Sequence, residues 1–177
     1  MRFLPVNLSH LLVELSSLKE TLAFYEAVKQ ADILAIQDII PAAKTVLIQF
    51  SPWLMTAEEL VLQLRQLEIK AISARKSQSL VIPVTYEGED LQEVAELLGI
   101  DTHEVIQRHT EQAYQVAFTG FAPGFAYLAT ENTSLYVPRR KTPRTRIPAG
   151  SVGLAGEFSG VYPQQSPGGW QLIGTTD

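Results

Sequence analysis

Residues 118–128 read FTGFAPGFAYL, residues 137–156 read VPRRKTPRTRIPAGSVGLAG, and residues 159–174 read SGVYPQQSPGGWQLIG. The span 118–174 holds nine of the chain's 11 glycines and six of its 10 prolines, which rules out an amphipathic helix. Short strands joined by tight turns fit instead, with glycine supplying positive φ and proline fixing φ. The same span sets Phe121, Phe125, Tyr127, Tyr162 and Trp170 beside Arg139, Arg140, Arg144 and Arg146. That mixture goes beyond turn chemistry, so the stretch is read as the functional surface and the upstream chain as what presents it.

At 177 residues the chain has room for one large domain or two small ones, and its 46% hydrophobic content supports a real core. The absence of cysteine excludes disulfides, thiolate nucleophiles and Cys-ligated zinc. The N-terminal residues MRFLPVNLSHLLVELSSLKE lack the continuous apolar core of a signal peptide, and no apolar run reaches the ~20 residues of a membrane span. A soluble, cytoplasmic protein is expected. The net charge of −5 divides unevenly, with −7 over residues 1–117 and +2 over 118–177. The cationic strip at 139–146 is too short for a nucleic-acid face and suits a carboxylate, a phosphate or an acidic partner.

Taken in order, Leu11–Leu15 predicts a strand, and Ser17 with Glu20 predicts a capping box opening a helix through Leu18, Leu22 and Tyr25. Residues 33–40 and 45–50 predict a hairpin around Pro41–Lys44, and Thr56 with Glu59 predicts a second capped helix through Leu60, Leu64 and Leu67. This small α+β pattern is most economically ferredoxin-like. The polar segment 71–79 marks a boundary between an N-terminal domain, 1–79, and a second domain, 80–177. There, residues 80–86 predict a strand, Asp90 with Glu93 a helix ended by Gly99, and Asp101 with Glu104 a helix reaching His109.

The motifs exclude some chemistries. Neither GxxxxGK[ST] nor GxGxxG occurs, and His10, His103 and His109 are scattered without HExxH, so no metal site is expected. His109 lies shortly before the glycine-rich stretch; a solvent-facing helix-end histidine favoured by the dipole is its commoner reading. GFAPGFAYL reads equally as turn and core, or as a loop whose glycines admit a ligand between Phe121 and Phe125. Arg140 and Lys141 read as a solvated loop, whereas Arg144, between Pro143 and the 147–150 turn, is better aimed. Ser166 lacks both an adjacent base and a GxSxG setting, which argues against a nucleophile.

These three blocks resemble the signatures of the KipI / allophanate-hydrolase-subunit-1 family. That family includes a subunit of the bacterial ATP-dependent 5-oxoprolinase, the sporulation-kinase inhibitor KipI, and subdomains C and D of the urea-carboxylase carboxyltransferase domain. The resemblance is strong over 80–177 and covers 1–79 by general pattern. Gly120, Phe121, Pro123, Gly124, Phe125 and Tyr127 match the first block. Arg139, Pro143, Arg144, Pro148, Gly150 and Ser151 match the second; Tyr162, Ser166, Pro167, Gly168, Gly169 and Trp170 match the third. His109 matches a histidine upstream of the first. The chain departs from the pattern at Ala126, where a proline is usual, at Ser159-Gly160, and in stopping at Asp177 where members continue into further strands.

The resemblance implies a small α/β domain followed by a cyclophilin-like β-barrel, here incomplete. It implies a partner of the allophanate-hydrolase-subunit-2 type (KipA- or PxpC-like), a third, PxpA-like subunit, and ATP, with magnesium, as the coupling cofactor. The expected activity is opening of 5-oxo-L-proline to L-glutamate within that complex. A cyclic amide is a poor electrophile, and phosphorylation would activate its carbonyl. Arg139 and Arg144 would then meet phosphate or substrate carboxylate, with Tyr127, Ser166 and the Gly168-Gly169 amides orienting the substrate and His109 a further catalytic candidate. The rival expectations are a KipI-like inhibitor of a sensor kinase, whose aromatics anchor an interface, and a subunit related to allophanate hydrolase or urea carboxylase. Prolyl isomerase activity would rest on fold analogy alone.

Overall fold

The structure, a computed structural model, describes residues 1–70, 78–130, 132 and 134–177. The chain forms two compact units, Met1–Ser77 and Gln78–Asp177. Residues 71–77 of the expected boundary segment lie outside the described residues. No helix among the described residues is long and apolar enough to cross a membrane.

In the first unit, strands β1 (Arg2–Asn7), β2 (His10–Glu14), β3 (Ile36–Pro41) and β4 (Thr45–Phe50) form one antiparallel sheet in the order β1-β2-β4-β3. Helices α1 (Leu18–Ala31) and α2 (Ala57–Arg65) join its core. Alternation decides which face is covered: Leu11 and Val13 of β2 and Val46, Ile48 and Phe50 of β4 pack with Phe24, Val28, Leu60 and Leu64. Each such side chain contributes about 1.5–3 kcal/mol on burial. The path β2-α1-β3-β4-α2 is the expected ferredoxin-like pattern. Its remaining edge position beside β2 is filled by β1, from the N-terminal side, rather than by a strand after α2. Thr56 and Glu59 make the reciprocal capping box that the sequence predicts. At α1 the reciprocity shifts by one residue: Ser17 accepts from Glu20 N, but the Glu20 carboxylate accepts from Ser16 N at 2.8 Å.

The second unit has helices α3 (Leu91–Leu98) and α4 (Thr102–Thr110). A five-stranded antiparallel sheet follows, built from β5 (Gln115–Thr119), β6 (Ala126–Ala129), β8 (Ser151–Ala155), β9 (Phe158–Val161) and β11 (Gln171–Thr175), in the order β11-β8-β9-β6-β5. Strands β7 (Arg144–Ile147) and β10 (Ser166–Gly168) pair separately. The α+β class is as expected, and among the described residues the two sheets do not close into a ring. The strand expected over 80–86 is replaced by a single bridge, Thr85 to Thr175, because the preceding residues find no pairing partner.

The two faces of the five-stranded sheet carry different cores. Val152, Leu154 and Ile173 face α3 and α4, packing with Val94 and Val105. Ala155, Leu172 and Phe158 face the other way, toward Phe125, Tyr162 and Trp170. One carboxylate ties the α3 start to this arrangement. Asp90, 2% exposed, makes no cap bond to its own helix. Its Oδ1 instead accepts from Arg140 Nη1 and from Arg144 Nη2 at 2.7 Å, and its Oδ2 accepts from Leu172 N at 2.7 Å. The Asp90 backbone N–H closes the link by donating to Leu172 O at 2.9 Å. Removing one partner of a buried pair strands the other charges and costs about 3–5 kcal/mol, whereas an exposed partner contributes under about 1 kcal/mol. Asp90→Ala should therefore lower the unfolding free energy in urea by about 3–5 kcal/mol, while Glu93→Ala, removing an exposed Arg140 partner, should cost less than about 1. Equal losses in the two variants would show that Asp90 is no anchor.

Candidate functional site

The glycine-rich blocks converge on an aromatic cluster centred on the buried Phe125 ring. Tyr127, Tyr162, Trp170 and Phe121 stand edge-on to it at 5.2, 5.3, 5.4 and 5.5 Å. Tyr127 also stacks on Phe118 at 4.4 Å. Edge-to-face rings place positive edges on negative faces, so the cluster is directional as well as apolar.

The first block turns sharply. Ala122 N donates to Gly120 O at 2.8 Å, closing a γ-turn around Phe121, which has φ 68°. A phenylalanine with positive φ is strained. The backbone recovers through Gly124, at φ 81°, with the exposed Pro123 between them. Phe121 is 58% exposed at the rim of the cluster.

The second block supplies three of its four arginines to the fold. Arg140 and Arg144 both bind Asp90, with Glu93 and Glu89 as exposed second partners, and Arg146 donates to Gln165 Oε1 at 3.0 Å. Asp90 first, then Glu89, hold the Arg144 guanidinium above its ordinary range. Arg140 is thus no solvated loop residue; its backbone N–H also donates to Gly169 O at 2.8 Å. Arg139 differs from its neighbours. It is exposed, makes no ion pair among the described residues, and sits over the Trp170 ring at 6.0 Å. Pro148 is exposed in the turn after β7, and Gly150, at φ 79°, donates from its N–H to Tyr162 O at 2.8 Å. Ser151 O accepts from Tyr162 N at 2.9 Å, so both residues are pinned by the backbone.

In the third block Ser166 is buried and donates to Gln164 O at 3.0 Å, which gives it a turn-stabilising position. Pro167 is exposed beside it. Gly168 has a steric reason: a Cβ there would lie 2.4 Å from the Tyr162 hydroxyl and 2.9 Å from Ile147 Cδ1. Gly168→Ala should push the buried Tyr162 aside and cost about 1–3 kcal/mol, read by thermal unfolding.

His109 stands apart. It projects from α4 onto the helix-covered face, where Ser159 points, while Phe158 and Gly160 of the same strand face the aromatic cluster. Tyr86 Oη and His109 Nδ1 share a hydrogen bond of 2.6 Å, and His109 Nε2 and Ser159 Oγ share one of 2.8 Å. Tyr114 packs at 5.2 Å. Burial pushes the imidazole down to about 4 and the Tyr86 and Tyr114 hydroxyls up. The solvent-facing, dipole-favoured histidine of the sequence reading is thus a buried one, held neutral by its removal from water, with a hydroxyl on each ring nitrogen. Arg139, Tyr127, Tyr162 and Trp170 are brought together; His109 is not among them. Sequence reasoning missed Asp90, Tyr86 and Ser159, whose roles depend on partners 23 to 82 positions away.

The folded imidazole binds its proton more weakly than the unfolded one. Its stabilising effect is therefore fully present above pH 6.5 and fades as pH falls toward 4. From pH 7 to pH 5 the stability of the wild type should fall by about 2 kcal/mol more than that of His109→Gln. Parallel pH profiles in chemical unfolding would contradict this.

Comparison with known proteins places this geometry. The family model for the carboxyltransferase domain, subdomain C and D, matches residues 1–177. A 5-oxoprolinase subunit of Haemophilus influenzae is 45% identical over 132 residues, covering 72% of this chain and 62% of the relative. The corresponding 5-oxoprolinase subunit of Bacillus subtilis is 52% identical over 98 residues, covering 54% and 41%. The chain thus spans about half the length of the curated relatives it matches. Among solved structures, TTHA0988 superposes with TM-score 0.74 at 34% identity, over 96% of this chain and 35% of its own. The urea amidolyase of K. lactis superposes with TM-score 0.75 at 18% identity, over 95% of this chain and 12% of its own, and so shows a shared fold. The chain belongs to the carboxyltransferase-domain subdomain C and D family.

Proposed function

We propose that this chain is a subunit of an ATP-dependent 5-oxoprolinase, a complex that opens 5-oxo-L-proline to L-glutamate, and that it acts only with its partner subunits. The relatives named as 5-oxoprolinase subunits support this reading. The observation that carries it in the molecule is Arg139, an exposed guanidinium without an ion-pair partner among the described residues, held over Trp170 at the edge of an aromatic wall. A small cyclic amide with one carboxylate needs that combination: a cation for the carboxylate and ring faces for the apolar methylenes. Arg139 takes the binding role, while Arg144 supports it from the Asp90 anchor. Tyr127 and Tyr162 wall the site, and the exposed Phe121 closes its rim.

The donor set around Arg139 does not fit a magnesium nucleotide. Asp90, Glu89 and Glu93 are all engaged by Arg140 and Arg144, and no cluster of three or more metal-binding side chains occurs among the described residues. We accordingly assign ATP and magnesium to another subunit, of the allophanate-hydrolase-subunit-2 type or the third, PxpA-like kind.

The test is reconstitution of the full chain with both partner subunits and assay of ATP-dependent 5-oxoproline hydrolysis. A charge-assisted hydrogen bond contributes about 1.5–3 kcal/mol, so Arg139→Ala should raise KM for 5-oxoproline by about 10- to 150-fold with an unchanged melting temperature. Arg139→Lys should recover part of the loss. Unchanged kinetics in Arg139→Ala would remove the residue from the site, and no turnover in the complete mixture would defeat the subunit reading.

A further inference from the structure

The first unit exposes large apolar side chains at one end of its sheet. Leu8, in the β1–β2 turn, is 88% exposed; Leu34, just before β3, is 87% exposed; Trp53 and Leu54, just after β4, are 94% and 61% exposed. Backbone hydrogen bonds gather these three segments. Phe50 N donates to Ser9 O at 2.9 Å, Ser51 N donates to Ala35 O at 2.8 Å, and Leu54 N donates to Ser51 O at 3.2 Å. β4 lies between β2 and β3, and neighbouring strands are about 4.8 Å apart, so the segments form one continuous rim. Isolated exposed leucines need no explanation, but three leucines around an almost fully exposed tryptophan do.

The charges at this end are mostly acidic. Asp32 caps the C-terminus of α1, Asp38 lies in β3 opposite Gln49, and Glu58 and Glu59 open α2; all four are exposed. Of the described cations of the first unit, Arg2 and Lys44 lie at the far end of the sheet, Lys19 at the start of α1 and Arg65 at the end of α2, while Lys70 is paired with Glu68 at 3.3 Å. Lys29, in the last turn of α1, is the one of these cations that shares the helix end of Asp32, and it is drawn over the Tyr25 ring. An acidic border repels the anionic surface of a membrane and disfavours a second copy of the same rim. It complements an apolar patch bordered by lysine and arginine.

We propose that this rim, with Trp53 as anchor, is the surface through which the chain docks onto another subunit of its complex, whose contact patch is apolar with a basic border. The proposal rests on the subunit reading above and adds a surface that the aromatic site does not include. Buried tryptophans dominate such contacts, and complementary charge sets the encounter rate and its salt dependence.

The experiment measures binding of the full chain to each partner subunit with titration calorimetry, alongside 5-oxoproline turnover of the mixture. Trp53→Ser with Leu54→Ser should weaken association by about thirtyfold or more, with an unchanged melting temperature. Asp32→Lys with Glu58→Lys, which touches no apolar side chain, should weaken it independently and flatten its salt dependence. Unchanged affinity in both variants, in a mixture that still turns over, overturns the docking surface and leaves the functional reading intact. A wild-type mixture that neither associates nor turns over overturns both. Self-association of the wild-type chain that Trp53→Ser abolishes assigns the rim to a second copy and overturns the partner assignment. Binding of the wild type to phosphatidylserine vesicles, lost in the same variant, likewise overturns it in favour of a membrane.

Discussion

A single buried carboxylate organises the second unit. Asp90 receives two guanidinium groups and one backbone N–H, and each donor comes from a different segment: the loop before β7, β7 itself, and β11. A carboxylate removed from water is costly unless its lone pairs are filled, and here they are filled by Arg140 and Arg144 of the second block and by the Leu172 N–H of β11. That requirement fixes the second sequence block against the third. It also decides which arginine is left over. With Arg140 and Arg144 held on Asp90, the guanidinium that remains beside the aromatic cluster is Arg139.

Strand alternation then separates two kinds of chemistry that sequence proximity would merge. Phe158 and Ser159 are consecutive, yet one joins the aromatic cluster and the other meets His109 beneath the helices. The Tyr86–His109–Ser159 line lies within the helix-covered layer, where its imidazole links α4 to β9. The aromatic face keeps the exposed cation and the strained turn. Strain at Phe121 persists because the surrounding hydrogen bonds over-determine it, which is common where a surface must present one side chain outward.

Much of the fold was legible from local signals. The capping box at Thr56, the cap at Asp101 and the hairpin of β3 and β4 all rest on spacings of a few residues, and all appear as expected. What escaped depended on distance. β1 shows no clean alternation and carries Pro5 next to a register shift, as an edge strand can, so its pattern reads as loop. Residues 80–82 have strand-like composition, but composition carries no information about a missing partner. Asp90 carries the signature of a helix cap, and only the fold brings Arg140, Arg144 and Leu172 to it. His109 was visible as a candidate residue, whereas its protonation state follows from a burial that only the fold supplies. The aromatic and arginine residues of the site were legible because their composition was abnormal for a turn-rich stretch.

The two units also differ in how far along the chain their contacts reach. Among the described residues, all strands and helices of the first unit lie before residue 66, with neighbouring hairpins making its sheet. The second unit joins its beginning to its end, through Thr85 on Thr175 and Asp90 on Leu172. Short loops close faster than long ones. During synthesis the first unit can therefore assemble on the ribosome while the second is still being made. The second must wait, with its aromatic strands unpaired, until residue 172 emerges, and that interval is when it is most exposed to aggregation and most dependent on chaperones.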